Sequence, residues 1–341
     1  MPTISPAFWP SLEELRLAVD ADLHTFLARR KEALPENARL IEELWRMISA
    51  GGKRLRPAFC YWGYRAGGGQ HGDDILRAAA SLELLHTFAL VHDDIMDASD
   101  ERRGERTVHA LHGLSVAVLA GDLSLVLADA RLIESGFSAE PMQRAMNAYQ
   151  MMRQEVIAGQ YLDVASETNT AITEAEARRI AVLKSGRYSI EKPIVIGACL
   201  AGASEDVVAG LAAAGEPLGE AFQFRDDLLG TFGERRSVGK PVDSDIREGK
   251  RNLLFARTVR ALSGSERDFF AGHWGGGDSL SSEDVERLRA LVEESGARKS
   301  VERLTLDLAD EARAHLNAAP ISAEARAALL ALAELSVNRL V

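Results

Sequence analysis

Two short runs of carboxylates are the residues best suited to chemistry. The first, Asp93-Asp94-Ile95-Met96-Asp97, ends an apolar helical stretch. Residues four apart on a helix share a face, so Asp93 and Asp97 can point the same way while Asp94 points aside. Neighbouring carboxylates repel each other unless a cation lies between them. Oxygen ligands at this spacing suit Mg2+, which takes one or two carboxylates together with substrate phosphates. The second run, Asp226-Asp227, ends the apolar stretch over residues 218–224. Two such helix ends facing each other would form an acidic rim over a cavity between helices. That rim could hold several Mg2+ ions and, through them, a diphosphate.

Cations stand where a diphosphate would need them. Gly51-Gly52-Lys53-Arg54-Leu55-Arg56-Pro57 places three in a glycine-started turn that leads into a helix. Helix N-termini bind anions through free N–H groups, and arginine presents a fork matched to phosphate. Arg102-Arg103-Gly104 follows Asp97 closely enough to reach metal-bound phosphates. Lys184-Ser185-Gly186, Gly239-Lys240 and Gly249-Lys250-Arg251 add further positive charge. Singly, each is an ordinary surface charge; their order around the two acidic helix ends gives them weight. No Ser/His/Asp or Cys/His arrangement offers a side-chain nucleophile, and His92 beside Asp93 reads as a packing residue.

In these motifs the chain resembles the trans-isoprenyl diphosphate synthases, also called polyprenyl synthetases, and most of all their short-chain geranylgeranyl members. The likeness covers residues 51–251. It rests on GGKRLRP (51–57), ELLHTFALVHDDIMDASDERRG (83–104), GQYLD (159–163), KSG (184–186), FQFRDD (222–227) and GK at 239–240 and 249–250. The resemblance implies an all-α, single-domain helical bundle of the isoprenoid synthase type with a central active-site cavity. It implies a Mg2+-dependent prenyltransferase, acting as a homodimer, that joins isopentenyl diphosphate to an allylic diphosphate.

The same resemblance assigns roles. Asp93 and Asp97 would hold two Mg2+ ions on the allylic diphosphate, and Asp226 a third. Arg102, Lys184, Lys240 and Lys250 would bind that diphosphate and stabilise it as it leaves. Lys53, Arg56, His86 and Arg103 would hold the diphosphate of isopentenyl diphosphate. The backbone near Lys184, the Ser185 hydroxyl and Gln223 would turn dipoles toward the allylic cation. Gln160 and Asp163 match positions near that site. Where the family's second acidic motif often ends in a third aspartate, this chain has Gly230.

The chemistry agrees with these assignments. Ionising an allylic diphosphate separates a carbocation from an anionic leaving group, and preorganised Mg2+, Arg and Lys favour the charge that develops there. Product length in this family depends on side chains beneath the first acidic motif. Phe88, five residues before Asp93, is bulky, and Ala89, four before, is small; the pair resembles synthases of C20 geranylgeranyl diphosphate more than those of C15 farnesyl diphosphate. A class I terpene cyclase would not need the second diphosphate site. A non-catalytic homologue would be expected to lose Asp93, Asp97 or Arg102.

The elements that must position these residues read as helices throughout, with apolar residues at three- and four-residue spacings. Ser11 and Glu14 form a capping box that starts a helix running to about Arg30. A loop holding Pro35 and Asn37 precedes a second helix ending near Ser49, and a third is expected from Pro57 to Arg65. One long helix is expected over residues 73–97. Gly104, Gly113, Pro141, residues 168–173, Pro193, Gly202 and Pro217 mark breaks. Residues 194–200 read as helix despite a strand-like composition, and residues 230–251 as a long loop or lid. Neither a linker nor a repeat interrupts the pattern, so one domain over residues 1–341, with 1–10 as a loose tail, is the economical expectation.

Composition sets the remaining bounds. Of 341 residues 46% are hydrophobic, enough for a large core, and the net charge of −11 argues against non-specific binding to nucleic acid or anionic membrane. Cys60 and Cys199 lie far apart among apolar neighbours and read as core thiols. The N-terminus lacks a secretory pattern. The greasiest stretch, residues 114–128, is interrupted by Asp122 and too short to span a bilayer. It is instead the expected subunit interface, and the chain reads as cytoplasmic.

Overall fold

The computed structural model describes residues 10–233 and 243–337. They are 81% helical. Nearly all of the expected tail lies outside the described residues, and so does Lys240.

The contacts divide into two compact units. The first takes the described part of Met1–Tyr149 with Pro193–Leu211 and Ala319–Leu332. Its helices begin with α1 (Leu12–Ala33), started by the expected Ser11–Glu14 capping box. A 3-10 turn (Pro35–Asn37), α2 (Ala38–Ser49), α3 (Leu55–Ala66) and α4 (Asp73–Met96) follow. A two-stranded hairpin, β1 (Glu101–Arg102) and β2 (Glu105–Arg106), leads to α5 (Val108–His112) and α6 (Leu114–Ile133). Helix α4 is the spine of this unit, packed against α1, α3 and α6. It is long and apolar enough to cross a membrane, but 61% of its most apolar window is buried inside the protein. Its contact with α6 is close: Ser124 Oγ donates to the Leu84 carbonyl at 2.8 Å. A Cβ at Gly121 would come within 2.2 Å of the His92 ring. His92 is thus a packing residue, as expected.

Helix α7 (Ala139–Ser166) precedes α8 (Glu174–Ala181), a ten-residue π-helix (Val182–Glu191) and α9 (Lys192–Leu200). The second unit comprises Gln150–Lys192, Ala212–Ala318 and the described part of Ala333–Val341. Its site-bearing helices are α10 (Glu205–Phe232), which ends within it, and the short α11 (Ser244–Glu248). Cys60 and Cys199 are both buried and unbridged.

Several expected breaks do not occur. Helix α3 starts at Leu55, before Pro57, because buried Arg54 already anchors the chain there. Pro141 sits in the first turn of α7, where its missing N–H would have no partner in any case. Pro193 lies in a continuous helical run from Glu174 to Leu200; the preceding turn is π-wound, with the Lys192 N–H donating to the Arg187 carbonyl. Pro217 lies inside α10, held by a buried face that includes Ala214, Leu218 and Ala221. The proposed lid is also partly helical: Gly230 belongs to α10, and α11 lies within residues 230–251.

Candidate active site

In the first unit the long apolar run of α4 carries its last turn to the surface with Asp93 and Asp94 on it, and Asp97 is the C-cap. Asp93 and Asp97 are half-buried, whereas Asp94 is 1% exposed. Asp94 does turn aside, and its partner is Arg102. Arg102 Nε donates to Asp94 Oδ1 at 2.6 Å, and a terminal nitrogen donates to Asp93 Oδ2 at 3.2 Å. The hairpin makes this reach possible. Arg103 (φ 55°) and Gly104 (φ 78°) form its left-handed turn, folding Arg102 back over the end of α4.

The turn before α3 is built around Arg54. Its side chain is buried and bonds Asp20 (2.7 Å), Glu83 (2.9 Å) and the Gly51 carbonyl (2.9 Å). Arg54 is therefore a structural residue, with Lys53 and Arg56 on either side of it near the helix start. Gly51 and Gly52 both have φ of 126°, which only glycine adopts readily. Arg103 also donates to the Gly51 carbonyl, tying the hairpin to this turn. His86, nearly two helical turns before Asp93, feels Arg56, Arg103 and Arg102. Loss of hydration first, then these positive neighbours, hold its pKa well below 6.5, so it is neutral. Of the group expected to hold isopentenyl diphosphate, Arg56 and Arg103 lie within electrostatic reach of His86, and so does Arg102, expected on the allylic diphosphate.

In the second unit Lys184, Ser185 and Gly186 lie on the π-helix, a winding often found at functional sites. Gly159 explains the GQYLD motif: a Cβ there would come within 2.2 Å of the Lys184 backbone nitrogen, so α7 and the π-helix touch backbone to backbone. Asp163 Oδ2 then accepts from Lys184 Nζ at 2.5 Å, giving Asp163 the role of aiming the lysine. On α10, Asp226 is exposed and Asp227 is buried. Gln223 Nε2 donates to Asp227 Oδ1 at 2.7 Å, which leaves the amide oxygen of Gln223 as its available dipole. Burial, then the neighbouring Asp245, push the Asp227 carboxyl well above the usual carboxylate range; Lys250 acts in the opposite sense. Lys250 is therefore within electrostatic reach of this acidic cluster, and it pairs with Glu248 at 3.1 Å.

Among the described residues no three acidic, His or Cys side chains converge closely enough to enclose a metal ion. An ion held at either acidic helix end would need oxygens from a bound substrate, which is the habit of Mg2+.

The model of the polyprenyl synthetase family matches residues 37–292. The chain belongs to the polyprenyl synthetase family. Among curated relatives, a short chain isoprenyl diphosphate synthase of Methanothermobacter thermautotrophicus is 35% identical, over 86% of this chain and 88% of its own. A geranylgeranyl diphosphate synthase of Saccharolobus solfataricus is 31% identical, over 96% and 99%. Among solved structures, geranylgeranyl pyrophosphate synthase from Corynebacterium glutamicum, complexed with isoprenyl diphosphate and magnesium, superposes with a TM-score of 0.92. It is 35% identical and the match covers 97% of this chain and 100% of that one. This polyprenyl synthetase has the isoprenoid synthase fold, and it is a prenyltransferase.

Proposed function

We propose that this polyprenyl synthetase is a Mg2+-dependent enzyme that condenses isopentenyl diphosphate with allylic diphosphates to give linear, all-trans C20 geranylgeranyl diphosphate. The observation that carries the reading is the end of α4. There an acidic pair one helical turn apart, Asp93 and Asp97, adjoins Arg102, with His86, Arg56 and Arg103 in mutual electrostatic reach. Acids to hold cations beside arginines to hold anions suit a metal-bound diphosphate next to a second diphosphate.

In this proposal the whole chain acts as one catalytic domain. Asp93 and Asp97 hold two ions and Asp226 a third. Bound Mg2+ would supply Lewis-acid stabilisation of the departing diphosphate. Arg102, Lys184 and Lys250, with Lys240 outside the described residues, bind the allylic diphosphate as its C–O bond breaks and the electron pair leaves with oxygen. Lys53, Arg56, Arg103 and neutral His86 hold isopentenyl diphosphate, whose double bond forms the new C–C bond. The proton then lost passes to the departed diphosphate. Ser185 and the Gln223 amide oxygen point dipoles at the transient cation.

Support for C20 comes from Phe88 and Ala89 beneath the first motif, and from the geranylgeranyl synthases among the relatives. Phe88 is held edge-on against His92, with ring centroids 4.9 Å apart. A homodimer through α6 is proposed from its exposed apolar row Leu119, Val126 and Ile133, seven residues apart. Cytoplasmic location is part of the proposal. The test incubates the enzyme with labelled isopentenyl diphosphate and dimethylallyl, geranyl or farnesyl diphosphate, with Mg2+ or EDTA. Linear C20 product that EDTA abolishes is expected. C15 product would overturn the length alone; cyclic hydrocarbon, or no consumption of isopentenyl diphosphate, would overturn the chemistry.

A further inference from the structure

Helix α10 carries Asp226 and, four residues on, Gly230. The two share a helix face, with Cβ positions roughly 5–6 Å apart in such a pair. The space over Gly230 is already filled. A Cβ there would come within 2.4 Å of Asp245 Oδ2 and 2.7 Å of its Oδ1. A carboxylate therefore stands one turn beyond Asp226 even though α10 does not supply it.

We infer that Asp245, presented from α11, takes the place of a third carboxylate on α10 and completes the anion set that holds the Mg2+–diphosphate beside Asp226. The inference rests on the proposed function. Asp245 is 8% exposed and Asp227 is 6% exposed. Two carboxylates packed together out of water are costly unless a cation or hydrogen bonds compensate them.

The mount of Asp245 is fixed. The Gly275 N–H donates to the Ile246 carbonyl at 2.8 Å, and Ile246 is fully buried. Arg247 bonds Asp243 at 2.5 Å and the carbonyls of Gly277 and Leu280 at 3.0 and 3.1 Å. Gly249, in the left-handed conformation, closes α11 with its N–H on the Asp245 carbonyl. A short helix pinned at both ends holds the carboxylate in one place, which is what preorganised binding of a charged complex requires.

The steric conflict at Gly230 makes the inference testable by a swap. Full-length wild type, Asp245→Asn, Gly230→Asp and the double variant Gly230→Asp/Asp245→Ala would be titrated with Mg2+ in the presence of inorganic diphosphate. Binding would be read by calorimetry and by the thermal shift it produces, with prenyl transfer measured alongside. Asp245→Asn should need about tenfold more Mg2+ for the same shift. Gly230→Asp alone should unfold at a lower temperature without ligand, because two carboxylates then compete for one space. The double variant should recover both the unfolding temperature and the Mg2+ dependence to within about threefold of wild type, a K ratio set by the same carboxylate count. Unchanged Mg2+ dependence in Asp245→Asn overturns the inference, as does a double variant no better than the worse single one. If wild type transfers prenyl groups but Asp245→Asn titrates as wild type does, only the inference falls. If wild type neither takes up diphosphate with Mg2+ nor transfers prenyl groups, the proposed function falls and the inference with it.

Discussion

Arg102 is fastened to Asp94 by a 2.6 Å bond from its Nε, and Asp94 is 1% exposed. The middle aspartate of the first acidic run is therefore the main support of the arginine, which also reaches Asp93 at 3.2 Å. Breaking a buried pair leaves an uncompensated charge and costs about 3–5 kcal/mol. Asp94→Ala should destabilise the protein by an amount of that order and lower kcat, measured by chemical denaturation and steady-state kinetics. A variant as stable and active as wild type would show that Arg102 is positioned by something else.

Asp163 aims Lys184 across 2.5 Å. Lys184→Ala should cost roughly 10²–10³ in kcat, the range for removing one transition-state contact. Asp163→Asn, which leaves the lysine but loosens its aim, should cost about tenfold, in the range for a supporting residue. Equal losses in the two variants would mean Asp163 meets substrate itself.

His86 carries a pH signature. Its folded pKa is held well below 6.5, whereas in the unfolded chain it titrates near about 6.5. Below that pH the unfolded state binds a proton that the folded state does not, so stability falls as pH drops and is unaffected above. His86→Gln should lose less stability between pH 7 and pH 5.5, by about 1 kcal/mol, since one proton changes stability by about 1.4 kcal/mol per pH unit once the pH is well below the unfolded pKa. Denaturant midpoints at those two pH values test this. Parallel losses in variant and wild type would contradict it.

Gly159 has no room for a methyl group, because the obstacle is the backbone of Lys184. Gly159→Ala should destabilise by about 1–3 kcal/mol or more. Thermal unfolding is the check, and an unchanged midpoint would count against so close a contact.

Phe88 lies on α4 five residues, a little over one turn, before Asp93. Phe88→Ala should lengthen the product beyond that of wild type, read by mass spectrometry after dephosphorylation. The same product length would remove Phe88 from the floor of the site.

Much of the site was legible because its residues lie within single helices or close beside them. The spacing of Asp93 and Asp97, the apolar run of α4 and the capping box at Ser11 are local features. What stayed hidden depends on partners far along the chain. Pro217 is the exception, since Ala214, Leu218 and Ala221 beside it already carry the helical spacing of the buried face that takes α10 past the proline. Arg54 looked like one of three equivalent cations, and only Asp20 and Glu83 mark it as structural. The hairpin at residues 101–106 escaped notice because two-residue strands carry no periodicity. The Gly159–Lys184 contact and the carboxylate of Asp245 over Gly230 join segments that no spacing rule connects. Lys240 lies outside the described residues.

The π-wound segment from Val182 to Glu191 has one further consequence. Each residue of an α-helix advances the chain by about 100°, and each residue of the wider π-winding by somewhat less. Removing a single residue from this loose coil would swing Lys184 and Ser185 away from everything that follows them, even if no functional side chain were changed. The aim of the lysine is thus encoded in a count of residues as well as in their identities. Insertions and deletions here should be tolerated far less than substitutions, as in a gear train where one missing tooth leaves every wheel intact and the timing wrong.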